Sequence, residues 1–146
     1  MDIIFATEQH LAAVASLFDQ YRVFYGQASD LSAAQQFLAE RFQNQDSTIF
    51  LALDGDAGVG FTQLYPSFSS VSMRHIWILN DLYVVASHRR QGIAKQLMQA
   101  AADYGRETRA VRLALATQIT NSAAQALYKS LGYPQDREFA HFALSL

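Results

Sequence analysis

The chain has 146 residues, 51% of them hydrophobic, one domain's length with enough apolar side chain to build a core without disulfides or a structural metal. It has no cysteine, which excludes disulfides, thiolate zinc sites, iron–sulfur clusters and a cysteine nucleophile. The formal net charge of -2 argues against general affinity for nucleic acid, and with no basic leader and no apolar run long enough to span a bilayer the expected location is cytoplasmic. The charge is unevenly placed: residues 1–88 hold three arginines against nine carboxylates, whereas residues 89–112 hold six basic side chains against two acidic ones. One short basic stretch in a mildly acidic chain points to a particular anion held at a particular place.

No repeat, low-complexity tract or Pro/Ser linker interrupts the chain, and a single domain over residues 1–146 is expected. Ile3 to Phe5 reads as a first strand. Thr7 and Glu8, followed by Leu11, Val14, Leu17, Phe18, Tyr21 and Phe24, have the spacing of a capped amphipathic helix ending near Gly26, with Phe24 in the core. A second helix from about Ser32 buries Phe37, Leu38 and Phe42. Thr48 to Leu53 and Val59 to Tyr65 flank Asp54-Gly55-Asp56 and read as an antiparallel hairpin. His75 to Ala86 is a nearly continuous apolar run suited to a central strand. It leads into a helix with Ile93, Leu97, Met98, Ala101 and Tyr104 on one stripe and then a strand over Val111 to Ala116, a parallel crossover. Asn121 caps a fourth helix, Gly132 ends it, and Phe139 to Leu144 returns as a last strand. The expected fold is α/β, a mixed and mostly antiparallel sheet with a central parallel βαβ crossover, in the order βααβββαβαβ.

The strand-to-helix turn Arg89-Arg90-Gln91-Gly92-Ile93-Ala94-Lys95 is the first candidate site. A glycine at a helix start lets backbone approach a ligand, and unpaired amides with the helix dipole attract an anion. Arg89, Arg90 and Lys95 add full positive charge. A second stretch follows one crossover later: Asn121, Ala124, Leu127, Tyr128, Leu131, Gly132 and Tyr133 lie along one helix and its exit. Together these resemble the two signature motifs of the GNAT superfamily of N-acetyltransferases, the first an Arg/Gln-x-x-Gly-x-Gly/Ala pyrophosphate loop matched by Arg89, Gly92 and Ala94. The second resembles the Asn-x-x-Ala-x-x-Leu-Tyr-x-x-Leu-Gly-Phe/Tyr helix at the seven positions just given. The element order is also that family's.

The resemblance implies acetyl-CoA as co-substrate and no metal. Its pyrophosphate would lie on the amides of Arg90, Gln91, Gly92, Ile93, Ala94 and Lys95, beside Arg89. Its pantetheine arm would pair like an extra strand along Leu82, Tyr83 and Val84, with Asn121 and Tyr128 contributing from the fourth helix. In that family the tyrosine at the position of Tyr128 commonly protonates the departing thiolate; spacing alone also allows a core tyrosine there. The segment Leu79-Asn80-Asp81-Leu82-Tyr83-Val84 resembles the Leu-Glu-Asp-Leu/Phe-Phe/Tyr-Val segment of the diamine and polyamine branch, which includes thialysine acetyltransferases. Asp81 matches. Asn80 replaces a glutamate proposed as base, and an amide takes no proton at neutral pH. Deprotonation of the acceptor then falls to Asp81 through water, to His75, or to desolvation of the amine, with Asp81 preferred.

Tyr21 and Tyr25 resemble an aromatic stretch that lines the acceptor site in the same branch, and aromatic faces near carboxylates suit an amine. Trp77 reads as sheet packing, and His10, His88 and His141 as isolated surface residues. No metalloprotease or serine-hydrolase motif is present. The expected activity is direct acetyl transfer to a small primary amine such as a polyamine, diamine or lysine-like amino acid, by a homodimer. Transfer to a protein N-terminus or lysine, or to an aminoglycoside, and a non-catalytic CoA-binding module are the alternatives.

Overall fold

Side-chain alternation along Thr48–Asp54 (β2) separates two cores: Ile49 and Leu51 enter one, while Thr48 and Phe50 face the other. The computed structural model describes residues 1–146 as two units, Met1–Ala116 and Thr117–Leu146. The first unit contains a five-stranded sheet built from Asp2–Phe5 (β1), β2, Ala57–Ser69 (β3), Arg74–Val84 (β4) and Leu113–Leu115 (β5), in that spatial order. The first three pairings are antiparallel, and β4–β5 is parallel. Two helices, Leu11–Phe24 (α1) and Leu31–Asn44 (α2), cover one face; Ile93–Glu107 (α3) covers the other.

The α1 stripe of Val14, Leu17 and Phe18 packs with Leu38 of α2 against Ile49, Leu51 and Phe61. Asp30 caps α2, its side chain accepting from the Ala33 amide at 3.1 Å. Buried Asp19 fastens the connection between the helices, accepting from Ser29 Oγ at 2.6 Å and the Asp30 amide at 2.7 Å. On the opposite face, Leu97, Met98 and Ala101 of α3 are buried, and Trp77 donates through Nε1 to Thr108 Oγ1 at 2.8 Å. Thus Trp77 packs the sheet as its sequence context suggests.

Close approach of sheet and α3 depends on Gly60. A Cβ there would stand 3.0 Å from the Tyr83 carbonyl oxygen, 3.2 Å from Val84 Cγ2 and 3.4 Å from Leu97 Cδ1. Gly60→Ala is expected to cost about 1–3 kcal/mol through overpacking. Chemical denaturation checks this as a lowered midpoint at unchanged slope.

Three features depart from the sequence expectation, the first being Phe37 of α2, which is exposed with its ring stacked on Phe18 instead of being buried. Phe24 is 56% exposed: α1 runs one turn past the covered stripe, so its ring meets Tyr25 and Tyr83 at the rim instead of entering the core. In the second unit, Asn121 caps Ser122–Ser130 (α4), accepting from the Ala124 amide at 3.1 Å, and the chain leaves through Gly132 at φ +86°. The expected strand over Phe139 to Leu144 does not form. Pro134 and a local turn at Asp136, which accepts from the Glu138 amide at 2.9 Å and meets His141 at 3.7 Å, hold this segment irregular and exposed. The parallel pair therefore lies at a sheet edge, with β5 outermost.

Candidate active site

A β-bulge in β4 builds the centre of the site. Gln63 pairs with Asp81 and Leu64 with Leu79, so Asn80 is the extra residue. Without the bulge Leu79 and Asp81 would share a face; with it, Leu79 stays opposite Leu64 while Asp81 joins Gln63 on the face covered by α1. Asp81 is 3% exposed. Its Oδ2 accepts from Gln63 Nε2 at 2.6 Å and its Oδ1 from Asn80 Nδ2 at 3.0 Å, and the Tyr21 hydroxyl also donates to it.

Burial pushes the Asp81 carboxyl above the ordinary carboxylate range, and the bonds from Gln63, Asn80 and Tyr21 oppose that rise only in part. The same environment acts on its aromatic neighbours. Burial, and next the Asp81 charge, raise the Tyr21 phenol, and they push Tyr65 up to about 12. Both phenols are therefore protonated donors at neutral pH, which leaves Asp81 as the group in this cluster able to take a proton. Asn80, an amide, cannot act as a base, yet it supports the neighbouring carboxylate. His75 lies six residues earlier on the same strand, about 20 Å away at strand rise, too far to share this site.

The aromatic wall comes from α1 and β4. Tyr21 meets Tyr25 edge-on at 4.9 Å between centroids and lies 6.4 Å from Tyr83; Phe24 lies 6.2 Å from Tyr83. Arg89 turns back into this wall, its guanidinium 5.3 Å from the Phe24 ring and 5.6 Å from Tyr83, with Nε donating to the Val84 carbonyl at 2.9 Å. It thus pins the loop to the strand end as well as supplying charge.

Beyond that point the chain opens. The β4–β5 pairing stops at Leu79–Leu115, so no β5 residue pairs with Leu82, Tyr83 or Val84 on that side of β4. An extended ligand could hydrogen-bond along this edge, which β5 leaves unpaired, although the Val84 carbonyl there already accepts from Arg89 Nε. The loop ends at Gly92, which caps α3 at φ +80° with no side-chain cap, and Arg90 is also left-handed at φ +60°. A Cβ on Gly92 would meet nothing within 4 Å. Successive turns of this kind point backbone amides into one concavity, an anion nest in front of a helix N-terminus. These residues fit a pyrophosphate. Arg90, Gln91 and Lys95 are exposed around the nest, Ala94 is half-buried, and Ile93 is buried, so its contribution would be its amide.

His88 is not isolated. Its Nε2 contacts Asp54 Oδ2 at 2.9 Å and its Nδ1 contacts Ser87 Oγ at 2.8 Å, linking the approach to the nest with the β2–β3 turn. His10 likewise completes a capping box with Thr7. Gln63 and Tyr65 escaped the sequence reading, although a glutamine between Phe61 and Tyr65 on the alternate positions of an apolar strand is a legible irregularity. Tyr128 and Asn121 belong to α4 in the second unit, where the Asn121 oxygen is committed to the helix cap. No three His, Asp or Glu side chains are grouped to hold a metal ion, and no helix is long and apolar enough to cross a membrane.

Residues 11–133 match the model of the "Acetyltransferase (GNAT) family". The chain belongs to this family. Among GNAT relatives, it is 47% identical over 146 residues to "Uncharacterized N-acetyltransferase YhfO" of Bacillus subtilis (strain 168), covering 100% of this chain and 98% of that protein. It is 26% identical over 132 residues to "Thialysine N-epsilon-acetyltransferase" of Caenorhabditis elegans, covering 90% of this chain and 82% of that one. A crystal structure described as "a probable acetyltransferase" superposes with a TM-score of 0.95 at 44% identity, covering 100% of this chain and 98% of the other. The chain is thus a GNAT-type acyltransferase of α/β fold, and acetyl-CoA is the co-substrate of GNAT acetyltransferases.

Proposed function

We propose that the protein transfers acetyl from acetyl-CoA to a primary amine of a small molecule, with Asp81 as the proton acceptor. The observation that carries this reading is a buried carboxylate with raised proton affinity, ringed by phenols, on the same strand as the stretch at residues 82–84 that β5 leaves unpaired. An alkylammonium has an ordinary pKa of about 10.4, so it must lose a proton before it can act as a nucleophile, and a base poised toward neutrality does this better than an ordinary carboxylate. The half-buried rings of Tyr21 and Tyr25 offer a cation-compatible wall. Bound acetyl-CoA supplies an acyl group already activated as a thioester. The nest at residues 90–95 would hold its pyrophosphate, and Leu82, Tyr83 and Val84 its arm. The Leu82 amide would face the developing oxyanion, and Tyr128 would give up its hydroxyl proton.

Polyamines, diamines and lysine-like amino acids head the acceptor class, supported by the match of Asp81 and the resemblance to a thialysine acetyltransferase. We also assign residues 1–146 to one N-acetyltransferase domain working as a cytoplasmic homodimer, on the strength of the family resemblance. Saturation with acetyl-CoA at 100 times its Kd should add about 2.7 kcal/mol of stability, raising Tm by roughly 5–10 °C. A thiol-release screen over primary amines then identifies the acceptor; binding without release from any amine would defeat the catalytic assignment. Tyr128→Phe is expected to reduce kcat about 10- to 100-fold while leaving the acetyl-CoA-induced shift in Tm in place. Unchanged turnover would make Tyr128 a packing residue.

A further inference from the structure

Gln63 is fully buried, and only half of its amide is used. Its Nε2 donates to Asp81 at 2.6 Å, whereas its Oε1, shielded from solvent, has no hydrogen-bond partner within the protein. Leaving such an acceptor unpaired is unfavourable. The alternate positions on either side of it along β3 carry the rings of Phe61 and Tyr65, so side chains without a carboxamide fit this face of the strand. A glutamine held there with half its amide unpaired, touching the proposed base, marks a functional constraint more than a packing one.

The carboxamide cannot turn over to relieve the deficit. Reversing it would place Oε1 against the Asp81 carboxylate, acceptor facing acceptor, whenever Asp81 is charged. The bond to Asp81 therefore fixes Oε1 as a preset acceptor beside the carboxylate. We propose that Gln63 is the second arm of the acceptor cradle, its Oε1 receiving one N–H of the same primary ammonium whose proton Asp81 takes. This inference rests on the assignment of Asp81 as base and deepens it by defining the ligand: a cation with at least two N–H donors on one nitrogen.

The proton balance is simple. One N–H bond of the ammonium breaks, its proton forms an O–H bond on Asp81, and the electron pair stays on nitrogen. A second N–H remains on Gln63 Oε1 and fixes the direction of that lone pair. In this scheme the incoming ammonium takes the acceptor position of Asp81 that the Tyr21 hydroxyl otherwise holds. Tyr65, raised to about 12 chiefly by burial, remains a neutral phenol in the same surroundings and does not compete for the proton.

The test uses methylammonium as the minimal ligand, with tetramethylammonium, which has the charge but no N–H, as its control. In the full chain, the Gln63 side-chain amide and the Asp81 carboxyl carbon are followed by NMR, the former identified by its loss in Gln63→Met. Methylammonium should shift both signals, and tetramethylammonium should leave Gln63 unmoved. In Gln63→Met the methylammonium Kd, read on Asp81, should weaken about 10- to 100-fold. An equal Kd in both proteins, or a Gln63 signal that ignores methylammonium, overturns the proposal. Should Gln63→Met fail to fold, the wild-type Gln63 response decides alone, with the signal identified from the conservative Gln63→Asn. Failure of the base assignment is read separately, as undiminished turnover in Asp81→Asn.

Discussion

Asp81→Asn lowers kcat/KM for the amine by about a hundredfold to ten-thousandfold, the range attributed to a positioned proton acceptor. The size follows from where the residue lies. A carboxylate on the surface would have water as a substitute; this one is buried against Gln63, Asn80 and Tyr21. The replacement keeps the shape and removes the basicity. It should spare the fold and the acetyl-CoA-induced Tm shift, so the loss falls on the chemical step. A pH series gives the sign. Asp81 must be unprotonated to accept, and burial raises its proton affinity, so wild-type kcat/KM falls as pH drops through a value above the ordinary carboxylate pKa of 3.8. In Asp81→Asn that limb should vanish. A limb that persists unmoved in the variant would assign the titration to another group and remove Asp81 from the mechanism.

The reach of the sequence was uneven for physical reasons. Periodicity located α1, α2, the β2–β3 hairpin and α3, because each buries one continuous stripe or face. The turn itself was legible too, since a glycine at a strand-to-helix junction marks a special backbone conformation, and Gly92 has a φ of +80°. What failed depended on partners distant in sequence. Phe139 to Leu144 has the composition of a strand, but a strand exists only with a neighbour to complete its hydrogen bonds, and the local turn at Asp136 competes. His88 looked solitary because its partner, Asp54, is 34 positions away. The bulge at Asn80 was invisible for the same reason: a register shift belongs to the pair of strands, and nothing in β4 alone reveals that Asp81 has changed face. Gln63 became meaningful only through that shift, which brings it opposite the carboxylate.

Gly92→Val should weaken acetyl-CoA binding more than a hundredfold while leaving a folded protein, and the separation of those effects is what makes it informative. At φ +80° glycine is nearly free of strain, but a β-branched residue pays about 1–3 kcal/mol to stay there. Nothing in the protein lies within 4 Å of the added Cβ, so no clash with the core compounds that cost, in contrast to Gly60, where the same addition meets backbone at 3.0 Å. The valine has two outcomes, both harmful to the ligand. If the backbone keeps its left-handed turn, the side chain projects into the open space before the α3 amides and excludes the phosphates. If the backbone relaxes to negative φ, the amides at the helix start no longer converge. Gly92→Ala removes most of the bulk and retains most of the strain, so it should fall between wild type and Gly92→Val. Titration calorimetry with acetyl-CoA orders the three, and circular dichroism verifies that each is folded. Equal affinity in all three would mean that no ligand approaches this turn, and the anion nest would lose its role.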